Sequence, residues 1–305
     1  MKRFFLIVAP LVICLSSIAQ TSKDEYMNKY SLLVSKLGQT GVGIETLINK
    51  WEADFPGDVD MLCAKFSYYY VKSQKSEIVR KDQAKYLGNT PLLSLDDSTG
   101  VKVNYFEEVM FDDELYGVAT KALDDAINLN PDDISLRLSK ITSLIGYEKE
   151  SPDMATQSIR SLIDYNCTSH PKWNYEGNVF SDDDFVSSVL EYCVAFFRIG
   201  TPASLESFKS LSEKMNSYYP KNVDFITNLG TYHFIAKEDY KSALKYYNKA
   251  LKLDPSNYSA IKNCVLLARK SKNVKLEKKY LAQLLTVSTD EKEKESCRSR
   301  LAVMK

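Results

Sequence analysis

The sequence predicts an all-α protein built from paired helices, and three observations carry that reading. Gly and Pro are scarce, at 11 and 9 of 305 residues, which disfavours a turn-rich all-β fold. Apolar residues recur at helical spacing. In "EDYKSALKYYNKALKLDP", Ala243, Tyr247 and Ala250 stand at i, i+4 and i+7, and Pro255 ends the run. The same punctuation then returns along the chain, as "WEADFPGDVD", "AINLNPDDIS", "MNSYYPKNVD" and "ALKLDPSNYS", around Pro56, Pro131, Pro220 and Pro255. Each places an apolar or aromatic residue shortly before the proline, and two polar residues after it. The last interval is 35 residues, and the two longer ones hold about two units plus insertions.

The elements follow in order. "MKRFFLIVAPLVICLSSIAQ" places Lys2 and Arg3 before an apolar run from Phe4 to Leu15, with a small-x-small site at Ser17 to Ala19. This predicts a signal peptide over residues 1–20, cleaved after Ala19 or Gln20, and an exported chain, periplasmic or extracellular. The run is short for a membrane span. Ile13, where a small residue is wanted, argues against lipidation at Cys14. The rest, 21–305, reads as one helical repeat domain of five to six helix pairs. Leu138, Ile141 and Ile145 mark one helix, and Ala155, Ile159 and Leu162 the next. Ile261, Cys264, Val265 and Ala268 mark the first helix after Pro255. Glu277, Leu281 and Leu284 mark its partner, with the turn at Lys272 and Asn273. A polar helix over about 290–303 closes the open end of the stack.

Two stretches depart from the repeat. Residues 87–111 combine "LLSL", the turn signal "DDSTG" and the alternating "VKVNY", which predicts a β-hairpin insert. Residues 166–181 read as a loop turning at "EGN", with Trp173 and Tyr175 beside it. The two stretches share a register 70 residues apart, including Asn104 with Asn174 and Asp112 with Asp182. Duplication of a two-unit block and chance both account for that echo.

Upstream of Ala243, "NVDFITNLGTYHFIAKEDY" gives a first helix with Leu229, Gly230 and Phe234 on the matching face. Leu-Gly in one helix, Ala-Tyr-Ala in the next and a closing Asp-Pro resemble the tetratricopeptide repeat. Gly230 and Ala243 are 13 residues apart where that repeat usually has 12, so a turn or helix must absorb one residue. The resemblance implies a right-handed superhelical solenoid. It also implies a ligand surface on the concave face, lined by the first helix of each pair. Carried across, Asn228 lies on that face in one unit, and Lys262, Asn263 and Arg269 in the next. The carboxylate clamp of some members is incomplete, since Thr227, Thr231 and Leu266 fill its other places. The implied partner is a protein or peptide segment. A glycan stacked on Trp173 and Tyr175 is the alternative.

Other functions find little support. Equal counts of acids and bases, 40 each, argue against nucleic acid as partner. Two histidines far apart and cysteines without regular spacing make no metal or disulfide pattern. No phosphate loop or nucleophile elbow appears, so neither catalysis nor a cofactor is expected. The acid clusters "FDDELY" and "SDDDF" fit helix starts, where carboxylates answer exposed N–H groups. The paired tyrosines fit repeat packing.

Overall fold

The computed structural model describes residues 23–304; the expected signal segment lies outside the described residues. The described residues form thirteen helices and five short strands. α1 covers residues 23–37. α2 (Ile44–Asp54) and α3 (Val59–Lys72) lead to β1 (Gln74–Lys81), β2 (Leu93–Asp96) and β3 (Lys102–Phe111). α4 (Asp113–Leu129), α5 (Ile134–Glu148) and α6 (Asp153–Ser169) follow, then β4 (Asn174–Tyr175) and β5 (Asn178–Val179). α7 (Asp182–Ile199), α8 (Pro202–Tyr218), α9 (Val223–Ile235), α10 (Tyr240–Leu253), α11 (Tyr258–Lys270), α12 (Val274–Val287) and α13 (Glu291–Val303) complete the chain. The expected all-α fold of helix pairs is what the chain adopts.

The recurring prolines mark one joint built four times. In each, the helix ends two residues before the proline and the next begins three residues after it. The residue before the proline caps the outgoing helix in an extended-side conformation, with φ/ψ of −134/69° at Phe55, −126/66° at Asn130, −119/65° at Tyr219 and −135/95° at Asp254. Proline enforces this, because its ring excludes helical backbone from the preceding residue. The second residue after the proline is Asp58, Asp133, Asn222 or Asn257. Its side chain accepts from backbone N–H groups at the start of the next helix. Its own N–H returns to the carbonyl of the pre-proline residue, at 3.0–3.2 Å.

The chain divides into two compact units. The first holds residues up to 84, 90–143 and 172–180. Its core gathers Ile44, Ile48 and Trp51 of α2, Met61 and Tyr68 of α3, and Ala122, Leu123 and Ala126 of α4. Tyr26 of α1 stacks on Trp51 at 5.8 Å, and the Trp51 indole N–H donates to Asp58 at 3.0 Å. The insert in this unit is larger than the predicted hairpin over 87–111. β2 and β3 do form a hairpin about the Asp97 turn, but β3 is central, in the order β1-β3-β2. β1 escaped the sequence reading because "QKSEIVRK" is a charged edge strand whose two apolar residues, Ile78 and Val79, are adjacent rather than alternating. The loop expected at 166–181 is also shorter. Residues 166–169 are the last turn of α6, and 174–179 form a small hairpin over Glu176 and Gly177, both at positive φ.

The second unit holds residues 85–89, 144–171 and 181–305. Here α9 to α12 form the two regular pairs, and α13 packs on the last of them. Ala243, Tyr247 and Ala250 are fully buried, as are Ile261, Cys264 and Leu281. A Cβ at Gly230 would stand 2.6 Å from the Tyr247 ring and 3.2 Å from the Ala243 carbonyl, so α9 and α10 can approach this closely only over a glycine. The extra residue sits in the turn: four residues join α9 to α10, whereas three join α11 to α12. The acid clusters are caps. Asp112 accepts from Leu115 N–H, and Ser181 and Asp184 close a reciprocal box at the start of α7.

Candidate functional site

The first helices of the two regular pairs, α9 and α11, lie beside each other. Asn263 on α11 donates to Thr231 on α9 at 3.1 Å, and the Thr231 hydroxyl donates to the Thr227 carbonyl at 3.0 Å. Asn228 and Asn263 stand 35 residues apart, so they fill equivalent places in successive units. Their surroundings differ. The Asn263 amide is held by Thr231, whereas half-buried Asn228 makes no side-chain hydrogen bond among the described residues.

Two side chains that sequence reasoning did not single out as anchors complete this surface. Ile235 of α9 is 49% exposed and Leu266 of α11 is 43% exposed. Ile235 shares a stripe with Asn228 and Thr231, at i, i+3 and i+7. Leu266 shares one with Lys262 and Arg269, at i, i+4 and i+7. Each lies about one turn beyond the Asn263–Thr231 bond. The stripe spacing was legible, but which apolar residue the fold leaves uncovered was not, because both sit on helices rich in buried apolar residues.

The two cations that the resemblance places here, Lys262 and Arg269, are already answered from within the unit. Lys262 meets Glu293 of α13 at 2.9 Å and donates to Tyr258 Oη at 2.7 Å. Those bonds, first the one to Tyr258, raise its pKa. Arg269 Nε meets Glu277 at 2.8 Å. Glu277 is 3% exposed and also binds Arg300 of α13 through both oxygens, at 3.0 and 3.2 Å. Arg300, then Arg269, holds the Glu277 carboxyl below the usual carboxylate range despite burial. Lys262 therefore fastens the terminal helix directly, and Arg269 shares with Arg300 of that helix the buried Glu277 carboxylate.

The aromatic pair expected beside the 166–181 turn separates. Trp173 is only 4% exposed, with the Arg137 guanidinium 5.6 Å from its ring, so it offers no open face for a sugar. Tyr175 is 41% exposed and stacks on Phe180 at 5.9 Å. The first unit also carries an open cleft of about 1030 Å³ lined by Asp54, Asp58, Asp60, Asp133 and Glu176. Four of these five carboxylates are engaged: Asp58 and Asp60 pair with Lys23, Asp54 accepts from Tyr26, and Asp133 caps α5. Among the described residues no group of His, Cys, Asp and Glu could hold a metal ion.

No protein-family profile matches the chain, and no curated protein matches it. Two solved structures are similar to it at low level. One is pilF of Pseudomonas aeruginosa, at 15% identity and a TM-score of 0.39, covering 60% of this chain and 74% of that one. The other is the flexible tandem repeat domain of a bacterial cellulose synthase component, at 15% identity and a TM-score of 0.26, covering 92% and 96%. Likenesses of this degree assign neither family nor ligand.

Proposed function

We propose that the chain is a non-catalytic binding or assembly module, exported from the cytosol, that holds a protein or peptide segment against α9 and α11. The observation that carries this reading is the pairing of exposed Ile235 and Leu266 beside the unbonded amide of Asn228. Two apolar anchors next to a free donor–acceptor group suit an apolar peptide side chain with one backbone amide fixed alongside. The contact between α9 and α11 sets that spacing before any partner arrives, which lowers the ordering cost of binding. Export rests on the N-terminal pattern.

Selection from a random peptide library on residues 21–305 tests the proposal. Selected peptides should bind more than about tenfold more weakly to Ile235→Ser/Leu266→Ser, and measurably more weakly to Asn228→Ala, with helicity unchanged. A library that yields no binders, or binders indifferent to all three substitutions, overturns it.

A further inference from the structure

The charge of this chain is balanced as a whole but not in place. Between residues 240 and 287 stand eleven Lys and Arg against two acids, Asp254 and Glu277, whereas the full chain has 40 of each sign. α10 contains no acid at all. Its Lys241, Lys245, Lys249 and Lys252 fall within an arc of about 80° and a length of about 16 Å. All four are exposed, and none has an ion pair or side-chain hydrogen bond among the described residues. They rim an open depression of about 710 Å³ floored by Leu244, Tyr246 and Asn248.

The neighbouring second helix widens this row. Tyr280 of α12 donates to Asn248 at 2.8 Å, and Lys279 lies 4.7 Å from the Tyr280 ring, with exposed Lys275 one turn away. The nearby acids are taken. Asp239 caps α10, Asp254 binds Ser256, and Glu277 is buried under Arg269 and Arg300. Glu238 lies 3.9 Å from Lys270.

We propose that the outer face of α10, extended by α12, docks on an anionic lipid surface. Three features favour a membrane over an acidic peptide. Among the exposed unpaired cations of this face there is no arginine, so there is charge without the fork geometry that reads individual carboxylates. The lysines occupy two helices side by side, wider than one extended strand. The shared arc of the four α10 lysines brings them together within a Debye length of a charged plane, about 10 Å at moderate salt. The face lies on the second helices of the pairs and leaves α9 and α11 free for a peptide.

The test is cosedimentation of residues 21–305 with vesicles. The chain should pellet with mixed phosphatidylglycerol–phosphatidylcholine vesicles at low salt, stay in solution with phosphatidylcholine alone, and be released by salt. Lys241→Gln/Lys245→Gln/Lys249→Gln/Lys252→Gln should bind more than about tenfold more weakly, with an unchanged circular dichroism spectrum. A charge-matched control, Lys36→Gln/Lys50→Gln/Lys85→Gln/Lys102→Gln, should bind like the native chain. Equal binding to both vesicle types, no binding to either, or equal loss in the two quadruple variants overturns the proposal. Retention on polyglutamate without vesicle binding also overturns it, and points to an acidic protein instead.

Discussion

The α9–α12 pairs and the strand insert at 74–111 are held by different means. In the helix pairs, the backbone satisfies itself within each helix, and the units are joined by side-chain volume: Gly230 and Ala243 admit the Tyr247 ring, and Tyr280 fills the next layer. In the insert, the backbone is satisfied between strands, with β1 and β2 both paired to β3, and few side chains are fully buried. Asn104 is one of those few. Its amide donates to the carbonyls of Asp82 and Gln83 at 3.3 and 3.1 Å and its oxygen accepts from Ser94 at 2.6 Å. The helix pairs are therefore sensitive to volume, and the insert to lost hydrogen bonds.

The sharpest way to break this contrast is Gly230→Ala. The added carbon meets a ring with no exposed surface, and the expected cost is about 1–3 kcal/mol, with Tm lowered by several degrees on a thermal scan. If stability is unchanged, close approach over Gly230 is not what joins α9 to α10. In the insert, Asn104→Ala should cost about 1–2 kcal/mol by leaving the two carbonyls unpaired. Asn174→Ala, at the echo position, removes a single bond to the Asp132 carbonyl and should cost less than half as much in the same denaturant titration.

Acid should loosen the end of the repeat stack. The carboxyl of Glu277 is held below its usual range by Arg300, so it binds protons less readily in the folded chain than in the unfolded one. Its stabilisation is complete above the unfolded value of about 4.3 and is lost as pH falls through the lower folded value. Hydrogen exchange between pH 5 and 3 should show α13 losing protection before α9. Glu277→Gln should reduce that pH dependence, leaving the part carried by Glu293, whose carboxyl is also held low, despite burial, by its bonds to Ser288 and Lys262. The smallest expected effect is a gain. Gly117 lies inside α4 with nothing within 4 Å of an added Cβ, so Gly117→Ala should stabilise by about 0.5–1 kcal/mol. A loss there would mean that α4 needs a glycine for a reason other than space.

The helix pairs and the places where they end were legible along the chain. A proline fixes its own φ and excludes helix from the residue before it, so Pro56, Pro131, Pro220 and Pro255 act wherever they stand, and the Asp or Asn two positions on caps the next helix. The small residues at 230, 243 and 250 announced close packing for the same local reason, and the acid clusters announced helix starts. The echo between Asn104 and Asn174 was visible too, but α4 is capped by Asp112 and α7 by Ser181, one place before the matching Asp182.

Which charges and rings are available depends instead on contacts between distant segments. Lys262 and Arg269 read as candidate binding residues because their carboxylates lie 31 and 8 positions away on other helices, and no local pattern announces that pairing. Trp173 read as exposed because it stands in a loop, yet it is buried beside Arg137. β1 lies outside the hairpin read from the sequence, since its pairing with β3 crosses a long stretch of chain. A helix end is fixed by the dihedral limits of a few neighbouring residues. The fate of a charge depends on which distant partner the fold brings within about 3 Å.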